Sequence, residues 1–253
     1  MTRVLDETLG AIRTVTLNRP EKRNALDSQM LEELAAAFAV PPTAEERVLV
    51  IRSTGAVFCA GLDLRERIGG AGMGGASPIE GVLHAVEHYP LPIVAVVQGD
   101  AIAGGNELAL HCDFVVASST ASFGMSLAQI GLAPTWFLAK KLLEVAGPVA
   151  TREVLLLGDP LTATRMFELG VIARVAPPEA LESAAAAIID RLAANAPLSL
   201  KAMKALLVRE MKFRDAIPHA DVDTLVDAAR TSADAREGIA ARLEKRSPAF
   251  EGR

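Results

Sequence analysis

Two apolar runs, each leading into a glycine turn, restrict this chain to a narrow set of folds. Val48–Arg52 and Ile93–Val97 are rich in β-branched residues, and the second follows the breaker pair Pro90 and Pro92. Runs of this kind bury both faces, as strands do in parallel sheets covered by helices. The turns that follow are Phe58-Cys59-Ala60-Gly61-Leu62-Asp63-Leu64 and Ala103-Gly104-Gly105-Asn106-Glu107-Leu108. The second turn opens a helix expected to reach about His111, and Phe114–Ala117 reads as the next strand. This alternation predicts a layered α/β core with parallel strands.

Upstream, Val4–Leu5 and Ile12–Leu17 flank Thr8-Leu9-Gly10 and predict a strand pair. Asp27 is the expected cap of a helix reaching about Phe38, with Met30, Leu31, Leu34 and Phe38 at helical spacing and Pro41-Pro42 as its stop. From about Thr135 the pattern turns mainly helical, interrupted by a short strand at Val171–Val175 and by Pro177-Pro178. Alanine-rich helices are predicted over Glu179–Ala194, Leu198–Met211 and Ser232–Lys245. The expected organisation is an α/β core over residues 1–195 and a helical region over 196–253.

With 253 residues, 51% of them hydrophobic, the chain can bury a full core without disulfides. A net charge of −5 gives no general attraction to nucleic acid or anionic membranes. Cys59 and Cys112 are the only cysteines, and neither sits in a zinc or redox spacing. The N-terminal segment lacks the apolar stretch of a signal peptide, and no segment approaches the length of a membrane span. The expected compartment is the cytoplasm.

Each glycine turn offers backbone N–H groups to negative charge. Gly104 and Gly105 lie between an apolar strand and the Glu107 helix, so the first helical N–H groups point outward. Leu62, directly after Gly61, supplies a second donor, and losing one such donor costs about 3 kcal/mol of transition-state stabilisation. Glu107 adds a carboxylate whose pKa burial would raise into the range useful for proton transfer. The plainer alternative is a pair of tight turns with Glu107 as a first-turn helix carboxylate, and the local sequence leaves both open. Gly69–Ser77 is glycine-rich and reads as a mobile loop; the alternative, a phosphate cradle, lacks the GK[ST] ending and a preceding strand. His84 and His88 have a spacing seen in metal sites, but no HExxH motif or third ligand accompanies them. His111 and Asp113 read as partners for local backbone.

Six segments in order carry a resemblance. They are Leu17-Asn18-Arg19-Pro20 with Asn24-Ala25-Leu26; Phe58 to Leu64; Gly104-Gly105-Asn106-Glu107-Leu108-Ala109 with Cys112-Asp113; Phe123-Gly124, Gly131-Leu132 and Pro134; Ser232, Asp234 and Glu237-Gly238; and Glu244-Lys245-Arg246-Ser247-Pro248-Ala249-Phe250. Together they resemble the crotonase superfamily, also called the enoyl-CoA hydratase/isomerase family, nearly end to end. The resemblance implies a ClpP/crotonase-like layered core of repeated ββα units with a helical C-terminal region. It implies that the N–H groups of Leu62 and Gly104 form an oxyanion hole for a coenzyme A thioester, and that Ala25, Ala60, Asp63 and Leu64 line the CoA site, mostly through backbone. Glu107 matches one of the two acid/base glutamates of the hydratases. Coenzyme A would belong to the substrate, with no separate cofactor and no metal. Homotrimers or dimers of trimers, with C-terminal helices packing across subunits, are expected. The clusters Lys22-Arg23 and Lys245-Arg246 are either solvated surface or contacts to CoA phosphates.

Two departures qualify the match. Leu127 stands where the second hydratase glutamate falls, so no proton can be exchanged there; nearby Ser126 and Gln129 could hold a water. Thr135-Trp136-Phe137 replaces the usual small residues after Pro134, and Trp136 is expected either to narrow the acyl pocket or to pack under a helix. No serine stands at the helix start where a serine protease of related fold would need one. The expected function is hydration or double-bond isomerisation of an enoyl-CoA on one retained glutamate. The alternative is a catalytically silent acyl-CoA-binding homologue in lipid metabolism.

Overall fold

In a computed structural model of the protein, residues 2–68 and 77–253 are described, so the glycine-rich segment before Ser77 lies outside the described residues. The chain opens with strands β1 (Val4–Leu9) and β2 (Ile12–Leu17), helix α1 (Ser28–Ala39), strand β3 (Val48–Ser53) and helices α2 (Leu64–Ile68) and α3 (Glu80–His88). Next come β4 (Ile93–Val97), β5 (Ala101–Ile102), α4 (Gly104–Leu110), β6 (Phe114–Ser118) and β7 (Ser122–Gly124). The rest comprises α5 (Trp136–Arg152), β8 (Leu161–Thr162), α6 (Ala163–Glu168), β9 (Arg174–Ala176), α7 (Leu181–Ala194), α8 (Pro197–Glu210), α9 (Ala220–Thr231) and α10 (Ala233–Glu244).

The larger sheet has the order β1-β2-β3-β4-β6-β9, antiparallel at β1–β2 and parallel elsewhere. Its central strands bury both faces, as their unbroken apolar runs require. Leu49, Ile51, Ile93 and Ala95 enter the main core, whereas Val48, Val50, Val94 and Val96 meet Leu181, Ala185 and Ile189 of α7. Each fully buried valine, leucine or isoleucine contributes about 1.5–3 kcal/mol of hydrophobic free energy.

A smaller sheet, β5-β7-β8, stands beside the first, and Cys59 extends it through a bridge to Ala101. The ββα repeat follows from this arrangement. A main-sheet strand leads to a short contact in the small sheet and then to a helical turn, as in β4, β5 and α4.

Local chemistry sets the ends of the elements. Asp27 caps α1 by accepting the Met30 N–H at 2.9 Å, and Ser232 caps α10 through the Ala235 N–H at 2.9 Å. Helix α5 breaks at Gly147, where φ is 68°, just before Pro148. The strand expected at Val171–Val175 begins only at Arg174, because the Val171 N–H is drawn back to the Met166 carbonyl at 2.9 Å. Helix α3 is the helix on which His84 and His88 were placed, whereas helix α9 had no counterpart among the predicted elements. No described helix is long and apolar enough to cross a membrane.

Helix α10 packs against residues 128–132 of the same chain. A Cβ on Gly238 would lie 2.4 Å from the Ile130 carbonyl carbon, and one on Gly131 would lie 2.6 Å from the Asp234 oxygen. Glycine at these positions therefore sets how closely α10 approaches the wall that carries Leu127. Gly238→Ala is expected to lower stability by about 1–3 kcal/mol in urea denaturation; an unchanged midpoint would mean that α10 does not dock this way.

Candidate active site

The site begins with three stretches of backbone laid side by side. Asn24 is fully buried, takes the Arg19 N–H on its side-chain oxygen at 2.8 Å, and donates to the Thr54 and Val57 carbonyls at 2.8 Å each. It thereby pins the turn that enters Ala25 and Leu26. That segment runs along the first glycine turn: Ala60 N–H to Arg23 at 3.0 Å, Leu26 N–H to Gly61 at 2.8 Å and Asp63 N–H to Leu26 at 2.9 Å. The second glycine turn joins through Ile102 N–H to Cys59 at 2.9 Å.

The two turns meet at closer range than side chains allow. Gly61 has φ +85°, and a Cβ there would sit 2.8 Å from the Ile102 oxygen and 3.0 Å from the Gly104 nitrogen. A Cβ on Gly105 would sit 2.2 Å from the Cys59 oxygen. Leu62 and Gly104 are thus neighbours, and among the described residues neither N–H is taken up by a backbone acceptor. Ala103, directly before Gly104, has φ 49° and ψ −117°, a strained conformation for a residue with a Cβ. The Gly124 carbonyl holds it by accepting its N–H at 2.7 Å.

These donors face a cavity of about 440 Å³, within the range of small-molecule sites. Leu62, Gly104 and Glu107 all line it, and Glu107 is only 5% exposed. Ala60, Leu64, Arg23 and Leu127 also line it, so position 127 presents a leucine to the cavity that Glu107 lines. Ser126 and Gln129 lie on the same wall, but the Ser126 hydroxyl accepts from Arg242 at 3.3 Å and the Gln129 amide donates to Leu157 and Asp159. Arg230, which no motif singled out, reaches the cavity from α9. The only available signal was the helical spacing of Val222, Leu225, Val226 and Ala229 beside it.

Three candidates stand elsewhere. Trp136 does not line the cavity; its indole stacks on His219 with centroids 4.5 Å apart, because the start of α5 turns it toward α9. Thr135 lines the cavity instead. The Asp63 carboxylate lies outside the lining, paired with Arg19 at 2.8 Å. Burial alone would raise its pKa, but hydrogen bonds from Arg19 and the Arg65 N–H hold it below the usual carboxylate value. Ala25 is also outside the lining, with its carbonyl taken by Arg19 at 3.0 Å. Of the basic clusters, Arg23 faces Asp100 at 3.8 Å at the cavity's exposed rim, and Arg246 is held by Glu237 and Glu244. His84 and His88 stack on each other at 4.0 Å, and among the described residues no cluster of three metal-ligating side chains forms.

Behind Glu107, His111 and Asp113 do bind local backbone. The His111 ring donates to the Glu107 carbonyl at 2.7 Å and stacks on Phe137, and Asp113 accepts the Ile93 N–H at 2.7 Å. Burial, reinforced by the charge of Lys141, pushes the His111 pKa from 6.5 down to about 4. The folded protein therefore keeps His111 neutral where the unfolded chain protonates it. Its contribution is intact above pH 6.5 and is lost as pH falls toward 4, on the order of 3 kcal/mol in all. Urea titrations across this window should show that loss for the native protein and a flatter profile for His111→Phe, which keeps a ring against Phe137 without a titrating group. Equal slopes in the two proteins would contradict it.

Comparison with known proteins agrees with this geometry. The sequence profile of the enoyl-CoA hydratase/isomerase family matches residues 7–253. A probable enoyl-CoA hydratase of Mycobacterium leprae is 34% identical over 247 residues, covering 95% of this chain and 96% of that protein. An enoyl-CoA isomerase/hydratase of Mycosarcoma maydis is 31% identical over 265 residues, covering 97% and 94%. Among solved structures, methylmalonyl-CoA decarboxylase in complex with 2S-carboxypropyl-CoA superposes with a TM-score of 0.91 at 25% identity, covering 100% of this chain and 99% of that one. With the sheet order, the paired glycine turns and the cavity between them, these matches establish that the chain belongs to the enoyl-CoA hydratase/isomerase family, the crotonase superfamily.

Proposed function

We propose that the protein acts on an enoyl-CoA thioester through an enolate held by the N–H groups of Leu62 and Gly104, with Glu107 as the single proton carrier. The observation that carries this reading is that both donors and the buried Glu107 line one cavity while Leu127 lines it too. The thioester oxygen would accept both N–H groups, and backbone dipoles fixed in advance stabilise the charge that develops there. Glu107 would remove a proton from the carbon next to the thioester and return it further along the chain, shifting the double bond. Hydration requires a water that is both held and activated, and a leucine at position 127 offers no group for that. The reading therefore favours double-bond isomerisation over hydration.

No separate cofactor enters this scheme, since coenzyme A arrives with the substrate. Arg23 at the rim is a candidate for its phosphates, and Ala25 and Asp63 would act by holding the turn that carries Leu62. A homotrimer or dimer of trimers assembled through residues 196–253 fits the exposed apolar face of α8, where Leu198 is 80% and Leu207 64% exposed. Cytoplasmic residence fits the two free, buried thiols, with that of Cys59 pushed up to about 12 by burial.

Leu127 also motivates the alternative of an acyl-CoA binder without turnover. Mass spectrometry of mixed 2-enoyl- and 3-enoyl-CoAs incubated in heavy water separates the readings. Deuterium incorporation with a shifted double bond, reduced at least about a hundredfold in Glu107→Gln, is the expected result. Addition of water would assign hydration to one glutamate, and binding without any Glu107-dependent change would favour the silent binder.

A further inference from the structure

Thr135 holds the position of a helix cap without acting as one. It is the N-cap residue of α5, with φ −72° and ψ 166°, yet its side chain takes no N–H of that helix. Asp27, Thr162 and Ser232 stand at the same position of α1, α6 and α10, and each accepts a helical N–H, at 2.9, 3.1 and 2.9 Å. A threonine at an N-cap ordinarily stabilises its helix in this way. The Thr135 hydroxyl instead donates across the fold to Glu80 Oε1 at 2.5 Å. The same oxygen accepts the Ser77 N–H at 3.1 Å. One carboxylate oxygen thus ties the start of α3 to the start of α5.

That bond lies where two cavities meet. The candidate active-site cavity of about 440 Å³ and a second one of about 370 Å³ have, among the described residues, a single lining residue in common, which is Thr135. Ser77 lines the first and Glu80 the second, so the bonded groups come from both sides of the boundary. Helix α9 runs past both cavities, with Arg230 on the first and Val226, one turn earlier, on the second.

The first cavity has an exposed end and a buried one. Arg23 and Asp100 stand at its rim with side chains 62% and 39% exposed, whereas Ser77 and Leu138 are buried. Thr135 belongs to the buried end, next to Leu138 in the first turn of α5 and joined to Ser77 through Glu80. With the thioester on Leu62 and Gly104 and CoA leaving past Arg23, an acyl chain would point toward Thr135. Beyond it the second cavity offers the apolar surfaces of Trp136, Phe137 and Val226. The Asp223 carboxylate there accepts from His219 at 2.7 Å, and Asp227 also has partners within the chain. Space that could take hydrocarbon therefore continues past Thr135, behind one hydrogen-bonded contact.

We infer that the Thr135–Glu80 bond sets the longest acyl chain the site accepts, so that the substrate class is the short-chain enoyl-CoA thioester. Thr135 meets the end of the chain, and Glu80, which does not line the first cavity, is a positioning residue that acts through it. The inference rests on the cavity being an acyl-CoA site, as proposed above. It is tested by calorimetric binding of free CoA and of butyryl-, hexanoyl-, decanoyl- and dodecanoyl-CoA to the native protein, Thr135→Ser, Thr135→Ala and Glu80→Ala. In the native protein the two shorter thioesters should bind at least about tenfold more tightly than the two longer ones. Thr135→Ala and Glu80→Ala, which remove the donor and the acceptor in turn, should each close that gap by raising affinity for the longer chains. Thr135→Ser, which keeps the hydroxyl, should retain it. Equal binding of short and long thioesters by the native protein would overturn the inference, whether or not the variants fold. A gap that survives in Thr135→Ala and Glu80→Ala would also overturn it. Equal weakening of every thioester in those variants would do the same, by assigning the bond to the integrity of the whole site. Binding without a chain-length limit would leave the proposed acyl-CoA site standing, whereas binding of no thioester would remove both.

Discussion

Three backbone segments in this protein approach one another more closely than any Cβ would permit, and the candidate site depends on that approach. A Cβ on Gly99 would lie 1.9 Å from the Ala56 oxygen, and one on Gly105 would lie 2.2 Å from that of Cys59. Without side chains at these points, Cys59 bridges to Ala101 and extends the small sheet. The small sheet then fixes Gly61 beside Gly104, and with them the Leu62 and Gly104 N–H groups.

That geometry has electrostatic consequences. Backbone donors locked by a sheet would need no reorganisation if negative charge developed at the proposed oxyanion site. The strained Ala103 conformation, worth about 1–3 kcal/mol, is held by the Gly124 carbonyl and by the helix that follows. Behind α4 the charges are compensated in place. Lys141 lies between Glu87 at 2.9 Å and Glu144 at 3.3 Å, while His111 stays neutral against Phe137. The outer wall of the cavity is formed by residues from 125–135, α9 and α10.

That outer wall separates what could be read in the sequence from what could not. Strands β2, β3, β4 and β6 and helices α1, α4 and α7 follow from apolar periodicity, glycine turns and caps, signals that act over a few residues. Asp27, Gly61 and Gly104 announce their roles locally for the same reason. Trp136 shows the opposite case. Its sequence position beside Pro134 admitted both the acyl pocket and a packed helix, and contact with His219, far along the chain, decided for packing. Helix α9 carries apolar residues at helical spacing, but nothing in that spacing singled out Arg230, which was one cation among many until the fold brought it to the cavity that Glu107 lines.

The sequence by itself determined the family, the parallel core, the two glycine turns and the absence of a carboxylate at position 127. Each of these is carried by residues whose chemistry or backbone freedom is local. Only the tertiary structure decided that Leu62, Gly104, Glu107, Leu127 and Arg230 share one cavity, and that Ala25, Asp63 and Trp136 stand outside it. The reason is physical. Which side chains face a cavity depends on the packing angles of helices joined by long-range contacts, and no spacing within one segment encodes those angles.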